Sequence, residues 1–424
     1  MKANVFFKII TNALAIFLVF SSSLCAQTEF TEYSGKVVDS KSNEGIEAAS
    51  LSISETNIST ITNSDGEFVL KVPSSYLNSQ VFISLLGYKS KTIAIAQLSK
   101  DSRIALDRVV TKLSEVNISA FKSAENLVRK VFENRDKNHQ DESVYMTAFY
   151  RETIKRRNRN VSLTEAVVEV MKYPNNASTQ DAIKLNKARK STDYRRLDTV
   201  SVKLQGGPFS TIYLDVMKYP QYIFTDETIK TYDFSFNTPS TINNRNVFVV
   251  DFKPRNSSLN LNYIGKLYID AQSLALVSAE YAIDLSNKEK TKNLLVEKKP
   301  RNIVVYPVYA NYKVDYKAKG NKWYYSYSNL NLRFKVNKKR QLFNKVYTLS
   351  SEMVVTDWEV STTDQRIKAK DRLRPSVIIT DAISGFADSD FWGVYNVIEP
   401  DKSIEFAIEK IKKSIEKEKR KESK

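Results

Sequence analysis

Histidine and cysteine occur once each in the 424 residues, as His139 and Cys25, and glycine occurs only ten times. A Ser-His-Asp triad needs a histidine beside its serine, zinc sites draw on several His or Cys, and iron–sulfur clusters and disulfide frameworks need several Cys. These classes lack their parts, so no metal, cofactor or catalytic residue is assigned. No Walker-type or dinucleotide-binding glycine pattern occurs either. Beyond one short N-terminal stretch there is no long apolar run, and none reaches the ~20 residues of a membrane-spanning helix. Acidic residues are also scarce, 48 against 65 Lys and Arg, which leaves a formal charge of +17. What is present, 42% hydrophobic and 11% aromatic residues, is enough to bury a core and excludes a disordered chain. A chain of this length is expected to form two domains and a tail.

Lys2 and Lys8 precede the apolar stretch Ala13–Phe20, and the segment Ser21–Gln27 follows it. This is the layout of a secretory signal peptide over residues 1–26, with cleavage near Ala26 and no transmembrane span in the mature chain. Cys25 offers an alternative, acylation as a lipoprotein. Leu24 and Ser22, however, stand where a lipoprotein signal has a small residue and a leucine. Cleavage near Ala26 leaves a mature chain without cysteine, which suits an oxidising compartment.

Short runs of alternating apolar and polar residues follow, separated by turn residues, in the pattern of an all-β sandwich. Gly35–Asp39, Ala48–Ile53 and Phe68–Val72 read as strands, and Asp65-Gly66 is a hairpin signal because Gly accepts the positive φ of a tight turn. Gly35-x-Val37-x-Asp39, Gly45, Ala48, Thr62 to Asp65-Gly66-x-Phe68 and Gly87-Tyr88 together resemble the carboxypeptidase regulatory-like domain. That family is a transthyretin-type β-sandwich common in Bacteroidetes envelope proteins. The resemblance implies an accessory module without catalysis, in which Asp65 and Gly66 are turn residues. Ile46 stands where the family often has Pro.

Ala124, Leu127, Val128, Val131 and Phe132 fall at helical spacing behind Ser123, a candidate N-cap. From residue 143 to 356 the chain reads as strands rich in Tyr, Val and Phe. Among them are Asn246–Phe252, Tyr263–Asp270, Ala275–Tyr281, Ile303–Tyr316, Trp323–Tyr327, Leu330–Val336 and Val346–Val355. Short polar connections make an antiparallel meander the economical topology. Phe149–Glu152, Glu165–Val168, Lys203–Pro208, Gly265–Asp270, Phe391–Asn396 and Ile398–Pro400 resemble the uncharacterised region that follows the regulatory-like sandwich in many Bacteroidetes proteins. Gly265-x-Leu-Tyr-Ile-Asp270 is also similar to a strand of the half-barrel carriers that ferry lipoproteins across the periplasm. The expected fold is therefore mainly β. A transthyretin-like β-sandwich spans residues 33–120, and a large curved antiparallel sheet with a few helices spans 121–400, with a half-barrel as one form it can take. A charged amphipathic helix spans 401–424.

Several residues invite a chemical reading. Glu165 and Glu169 are a carboxylate pair, but on a strand four residues span ~13 Å, beyond the ~5–9.5 Å of glycosidase carboxyls. His139 sits in a polar connection and reads as a solvated loop residue. Trp323–Tyr327 could form an aromatic binding platform, although strand packing explains Tyr and Trp equally well. Arg333, Lys335, Lys338, Lys339, Arg340 and Lys345 form an acid-free stretch, and Lys184–Arg196 is a second basic region. In an exported protein the polyanions within reach are lipid headgroups and acidic glycolipids rather than nucleic acid. Lys335, Lys338, Lys339 and Arg340 are the candidate anion surface. At the C-terminus Ile404, Ala407, Ile408, Ile411 and Ile415 mark one apolar helix stripe.

The expected function is a non-enzymatic scaffold of the periplasm or outer membrane that binds a ligand or partner, an envelope protein or an anionic lipid. A lipid or lipoprotein carrier and a carboxylate-based hydrolase are the alternatives.

Overall fold

A computed structural model describes residues 29–109, 121, 123–157, 159–192, 206–255, 262–285, 291, 303–338, 344–361, 365–382, 389–402, 404–406, 408–409 and 413. The signal segment with Cys25, the extended run Val116–Ala120 and the basic residues Lys339 and Arg340 lie outside the described residues.

The N-terminal part is a sandwich of two sheets. One has the order β4-β1-β7, from β1 (Phe30–Asp39), β4 (Glu67–Pro73) and β7 (Ser102–Leu106). The other has the order β3-β2-β5-β6, from β2 (Ser50–Ile53), β3 (Ser59–Ile61), β5 (Gln80–Ser84) and β6 (Lys91–Ala94). Alternate residues of both sheets, among them Val37, Leu51, Leu70, Val81 and Ile83, are fully buried between them.

The turn at Asp65-Gly66 does not close a hairpin within one sheet. It carries the chain from β3 in one sheet to β4 in the other. Gly66 has φ 82°, and a Cβ there would lie 2.5 Å from the Val37 carbonyl oxygen. The Asn63 carboxamide oxygen accepts from the Asp65 and Glu67 amides and fixes the turn.

The rest of the described chain is organised on one open sheet of ten strands in the order β10-β9-β8-β17-β16-β15-β14-β13-β12-β11, every pair antiparallel. Its strands are β8 (Val144–Arg156), β9 (Arg159–Lys172), β10 (Ala182–Thr192), β11 (Tyr232–Ile242), β12 (Arg245–Pro254), β13 (Tyr263–Asp270), β14 (Leu276–Ile283), β15 (Ile303–Lys319), β16 (Lys322–Lys338) and β17 (Lys345–Val360). Neighbours are consecutive in the chain except β8 and β17, so the sheet is a meander whose two ends meet in its middle. The runs Trp323–Tyr327 and Leu330–Val336 are one 17-residue strand rather than two. The pairing shifts register between Asp315 and Tyr316, and that irregularity falls where the apolar alternation of β16 breaks.

The two faces of this sheet differ. On one, Tyr150, Val168, Leu267, Val277, Val314 and Tyr316 pack under helix α1 (Ala124–Glu133) and under the segment 208–229, which contributes Phe209, Ile212, Met217 and Phe224. Ser123 caps α1 by accepting from the Asn126 amide. On the other face lie Phe149, Val167, Tyr327 and Val354, which receive Ile61 of the sandwich together with Trp392, Val397 and Ile398 of the C-terminal segment. The sandwich is fastened there by named bonds. Ser59 Oγ donates to the Val355 carbonyl, Thr60 Oγ1 to that of Val397 and Asn63 Nδ2 to that of Pro400, and the Asn57 side chain reaches the Trp358 carbonyl. Of the expected C-terminal stripe, Ile404 is buried.

Candidate functional site

On the sandwich-facing side, one register line crosses all ten strands. From β10 to β11 it runs Arg189, Glu165, Arg151, Glu352, Asn329, Lys313, Glu280, Lys266, Asp251 and Ser235, each opposite the next. Charge alternates along the line with Asn329 as a neutral break, four cations against four carboxylates. Residues directly opposite in an antiparallel pair have Cβ atoms ~5 Å apart, so each charge sits beside its opposite.

Arg151 is the hub of the buried half. Its Nη2 lies 2.7 Å from Glu165 Oε1 and donates to the Ile398 carbonyl at 2.6 Å, while its Nη1 lies 3.5 Å from Glu352 Oε1. Arg189 Nε donates to Glu165 Oε2 at 2.6 Å, and the Arg189 guanidinium lies over the Trp392 ring. Burial alone would push the Glu165 carboxyl up, but the two guanidiniums outweigh it and hold the group below the usual range. Glu352 is raised by burial, against the pull of Arg151. In the other half Lys313 Nζ stands 3.2 Å from Glu280 and 3.6 Å from Asp315. These partners overcome desolvation and keep its ammonium charged well above the ordinary range.

Next to this line runs an uncharged one, Thr153, Ser350, Asn331 and Asn311. Ser350 Oγ donates to Asn331 Oδ1, and Asn331 Nδ2 to Asn329 Oδ1. The two lines floor a trough made of two connected cavities, ≈ 200 Å³ and ≈ 710 Å³, which share Glu47, Tyr327, Asn329 and Asn331. Glu47, Thr62 and Ser64 of the sandwich and Asp401 of the C-terminal segment wall it. Its surface offers amides, hydroxyls and paired charges, the groups that bind hydroxyl- or amide-rich ligands.

The residues singled out from sequence are distributed differently. Glu165 is buried in the charge line. Glu169, on the same strand, accepts from Lys184 Nζ at 2.8 Å, from Asn186 Nδ2 and from Tyr145. His139 is a correction: it is fully buried rather than solvated. Its Nε2 lies 2.9 Å from the Leu276 carbonyl, its ring packs edge-on against Tyr316, and burial lowers its pKa to about 4. The fold draws it in because the connection after α1 runs along β16, where His139 bridges to Trp323. Trp323, Tyr324, Tyr325 and Tyr327 are all buried, which makes them packing residues and not an exposed platform. Of the second basic region, Lys184 is tied to Glu169 and Arg189 to Glu165. Lys335 is exposed on β16, and Lys338 lies at that strand's end. Asp65 sits at the sandwich turn, where its carboxylate accepts from the Lys402 amide.

Glu352, Lys313, Glu280 and Asp251 carry no sequence signal, and Arg151 and Lys266 stand out only as members of the motifs Phe149–Glu152 and Gly265–Asp270, with no charge line implied. Each is one polar residue in an alternating strand, and only register brings them into line.

Behind the sheet, Lys172 Nζ lies 2.6 Å from Asp215 and 3.2 Å from Asp181, all three buried. Tyr316 and Tyr219 hydroxyls donate to the two carboxylates. Among the described residues no group of three or more His, Cys, Asp or Glu is arranged to hold a metal ion, and no helix is long and apolar enough to cross a membrane.

Residues 33–118 match the CarboxypepD_reg-like domain family. No curated protein matches the chain. Among solved structures, a DUF1329 family protein from Desulfovibrio piger is 10% identical, covering 58% of this chain and 96% of its own, with a TM-score of 0.21. A structure of lipovitellin is 9% identical, covering 55% of this chain and 27% of its own, with a TM-score of 0.25. The regulatory-like sandwich thus accounts for the wall of the trough, and the ten-stranded sheet for its floor.

Proposed function

We propose that this is a non-enzymatic exported protein of the cell envelope, periplasmic or associated with the outer membrane, that holds a polar ligand or a partner segment in the trough between sandwich and sheet. One observation carries the reading: the charged groups flooring the trough are paired with one another, so it presents fixed hydrogen-bonding groups. A hydrolase built on Glu165 and Glu169 would need one carboxyl free to protonate a leaving group. Glu165 is instead held ionised between two arginines, and Glu169 is occupied by Lys184, Asn186 and Tyr145. A carrier would need an open apolar face, whereas α1 and the segment 208–229 pack onto the apolar face. Export is supported by the arrangement of Lys2, Lys8, Ala13–Phe20 and Ser21–Gln27.

The test is native mass spectrometry of the mature protein purified from its own envelope, followed by solvent extraction. The expected result is a polar adduct that is lost in Asn331→Leu, on a chain beginning near Ala26. A stoichiometric acyl-chain species would replace this reading with the carrier, and a clean apo mass would overturn the small-ligand form of it. Acyl groups on Cys25 would overturn cleavage near Ala26.

A further inference from the structure

The uncharged line of the trough is followed, one step further along the strands, by a basic one. Lys155 of β8 and Arg333 of β16 both lie opposite Thr348 of β17, and Arg333 lies opposite Tyr309 of β15. One step beyond, the Arg157 amide bonds to the Val346 carbonyl, while Val346 faces Lys335 and Lys335 faces Tyr306. Two sequence clusters some 180 residues apart, Lys155–Arg157 and Arg333–Lys335, thus meet at one end of the sheet. One strand, β17, separates Lys155 from Arg333, two inter-strand spacings or roughly 10 Å, and Arg333 and Lys335 stand roughly 7 Å apart along β16. Arg157, Arg333 and Lys335 are exposed and Lys345 is half-buried, while Phe334 and Val336 on the opposite face are buried and hold the strand rigid.

Residues 153–164, 303–314 and 330–351 contain no Asp or Glu, in contrast to the alternating line farther up the same sheet. Beside the cations stand half-buried Tyr306 and Tyr309 and exposed Val308. Tyr and an aliphatic residue next to Lys and Arg are the side chains that settle at the headgroup level of a bilayer.

We propose that this end of the sheet docks on the phosphate headgroups of an anionic lipid bilayer. The mode is electrostatic attachment to a surface by a rigid basic edge, with Tyr306, Val308 and Tyr309 at the interface. It does not depend on the trough being a ligand site.

The experiment is cosedimentation of the full mature chain with phosphatidylcholine vesicles, with and without phosphatidylglycerol, at low and high salt. Binding is expected only with phosphatidylglycerol and is expected to fade as salt screens the charges. The pair Arg333→Gln and Lys335→Gln should weaken binding about thirty-fold, since each cation near such a surface contributes about a factor of five. The pair Lys91→Gln and Lys100→Gln, exposed on the sandwich with the same change in charge, should leave binding near the native level. Thermal melting confirms that each variant is folded. Equal binding to neutral vesicles, equal loss in both variant pairs, or no binding by the native chain would overturn the proposal. Displacement by inorganic phosphate but not by chloride at equal ionic strength would also overturn it, in favour of a free-anion site. Asn331→Leu, which tests the trough, should leave vesicle binding unchanged.

Discussion

Arg151 and Glu165 face each other across β8 and β9 with a nitrogen–oxygen distance of 2.7 Å and side chains no more than 4% exposed. At that depth the pair holds only because every remaining donor of the guanidinium is spoken for, by Glu352 and by the carbonyls of Ile398 and Glu399. Replacing Arg151 with Met strands Glu165 on Arg189 alone and removes the bonds to the Ile398 and Glu399 carbonyls of the C-terminal segment. We expect a loss of about 3–5 kcal/mol in urea unfolding, and appreciably less for Glu352→Gln, whose side chain is partly exposed.

Lys172 bridges Asp181 and Asp215 out of contact with solvent. In Lys172→Met the two buried carboxylates lose their shared cation, and a loss of about 3–5 kcal/mol is expected in the same assay. The loss should shrink as pH falls toward the range where carboxylates protonate.

Stability should slope upward with pH on the acid side because of His139. Its folded pKa, about 4, lies below the ordinary 6.5, so the unfolded chain binds a proton the native one refuses. The stability associated with a neutral His139 is complete above pH 6.5 and is lost as pH falls from 6.5 to about 4, by up to about 3 kcal/mol. His139→Gln should flatten that limb in a series of urea melts across pH.

Glu152 works in the opposite sense. Burial raises its carboxyl to about 7, with the Tyr150 hydroxyl donating to it at 2.8 Å. Native Glu152 keeps its proton from pH 4.5 to about 7 while the unfolded chain releases it, so stability falls across that interval. Glu152→Gln should therefore gain up to about 3 kcal/mol at pH 8 and nothing at pH 4.

Gly66→Ala should be costly despite the small change. A left-handed φ costs an alanine ~1–2 kcal/mol, and the added carbon meets the Val37 carbonyl and Gly45 Cα before it meets space. A loss of about 2–4 kcal/mol is expected in thermal or urea melts.

Much of this architecture is legible residue by residue. Alternation marks the strands from Asn246 to Val355, Ser123 announces α1, and the glycine and aspartate pattern from Gly35 to Gly66 carries the sandwich. The site is legible only in part. Phe149–Glu152 and Glu165–Val168 stand out as motifs, yet that Arg151 lies opposite Glu165 depends on pairing register. A strand's own residues do not encode which partner each will face. The burial of His139 is hidden for a related reason: its local neighbours Asn138, Gln140 and Asp141 are polar, and only the docking of that connection against β14 and β16 buries it. The basic stretch at Arg333 is readable by itself, whereas its junction with Lys155–Arg157 needs β17 between them.

The contact between β8 and β17 sets the order in which the large sheet can be completed. Ser351 pairs with Glu152, so the central seam joins segments some 200 residues apart, while every other seam is a local hairpin or close to one. Synthesis and folding from the N-terminus would produce β8 to β10 early and leave their inner edge open until β17 has been made. Loop closure over that distance is slow compared with hairpin formation. The seam along Val144–Arg156 is therefore expected to close after the hairpins on either side of it. A substitution confined to that seam should slow refolding more than an equally destabilising one at β11 or β12.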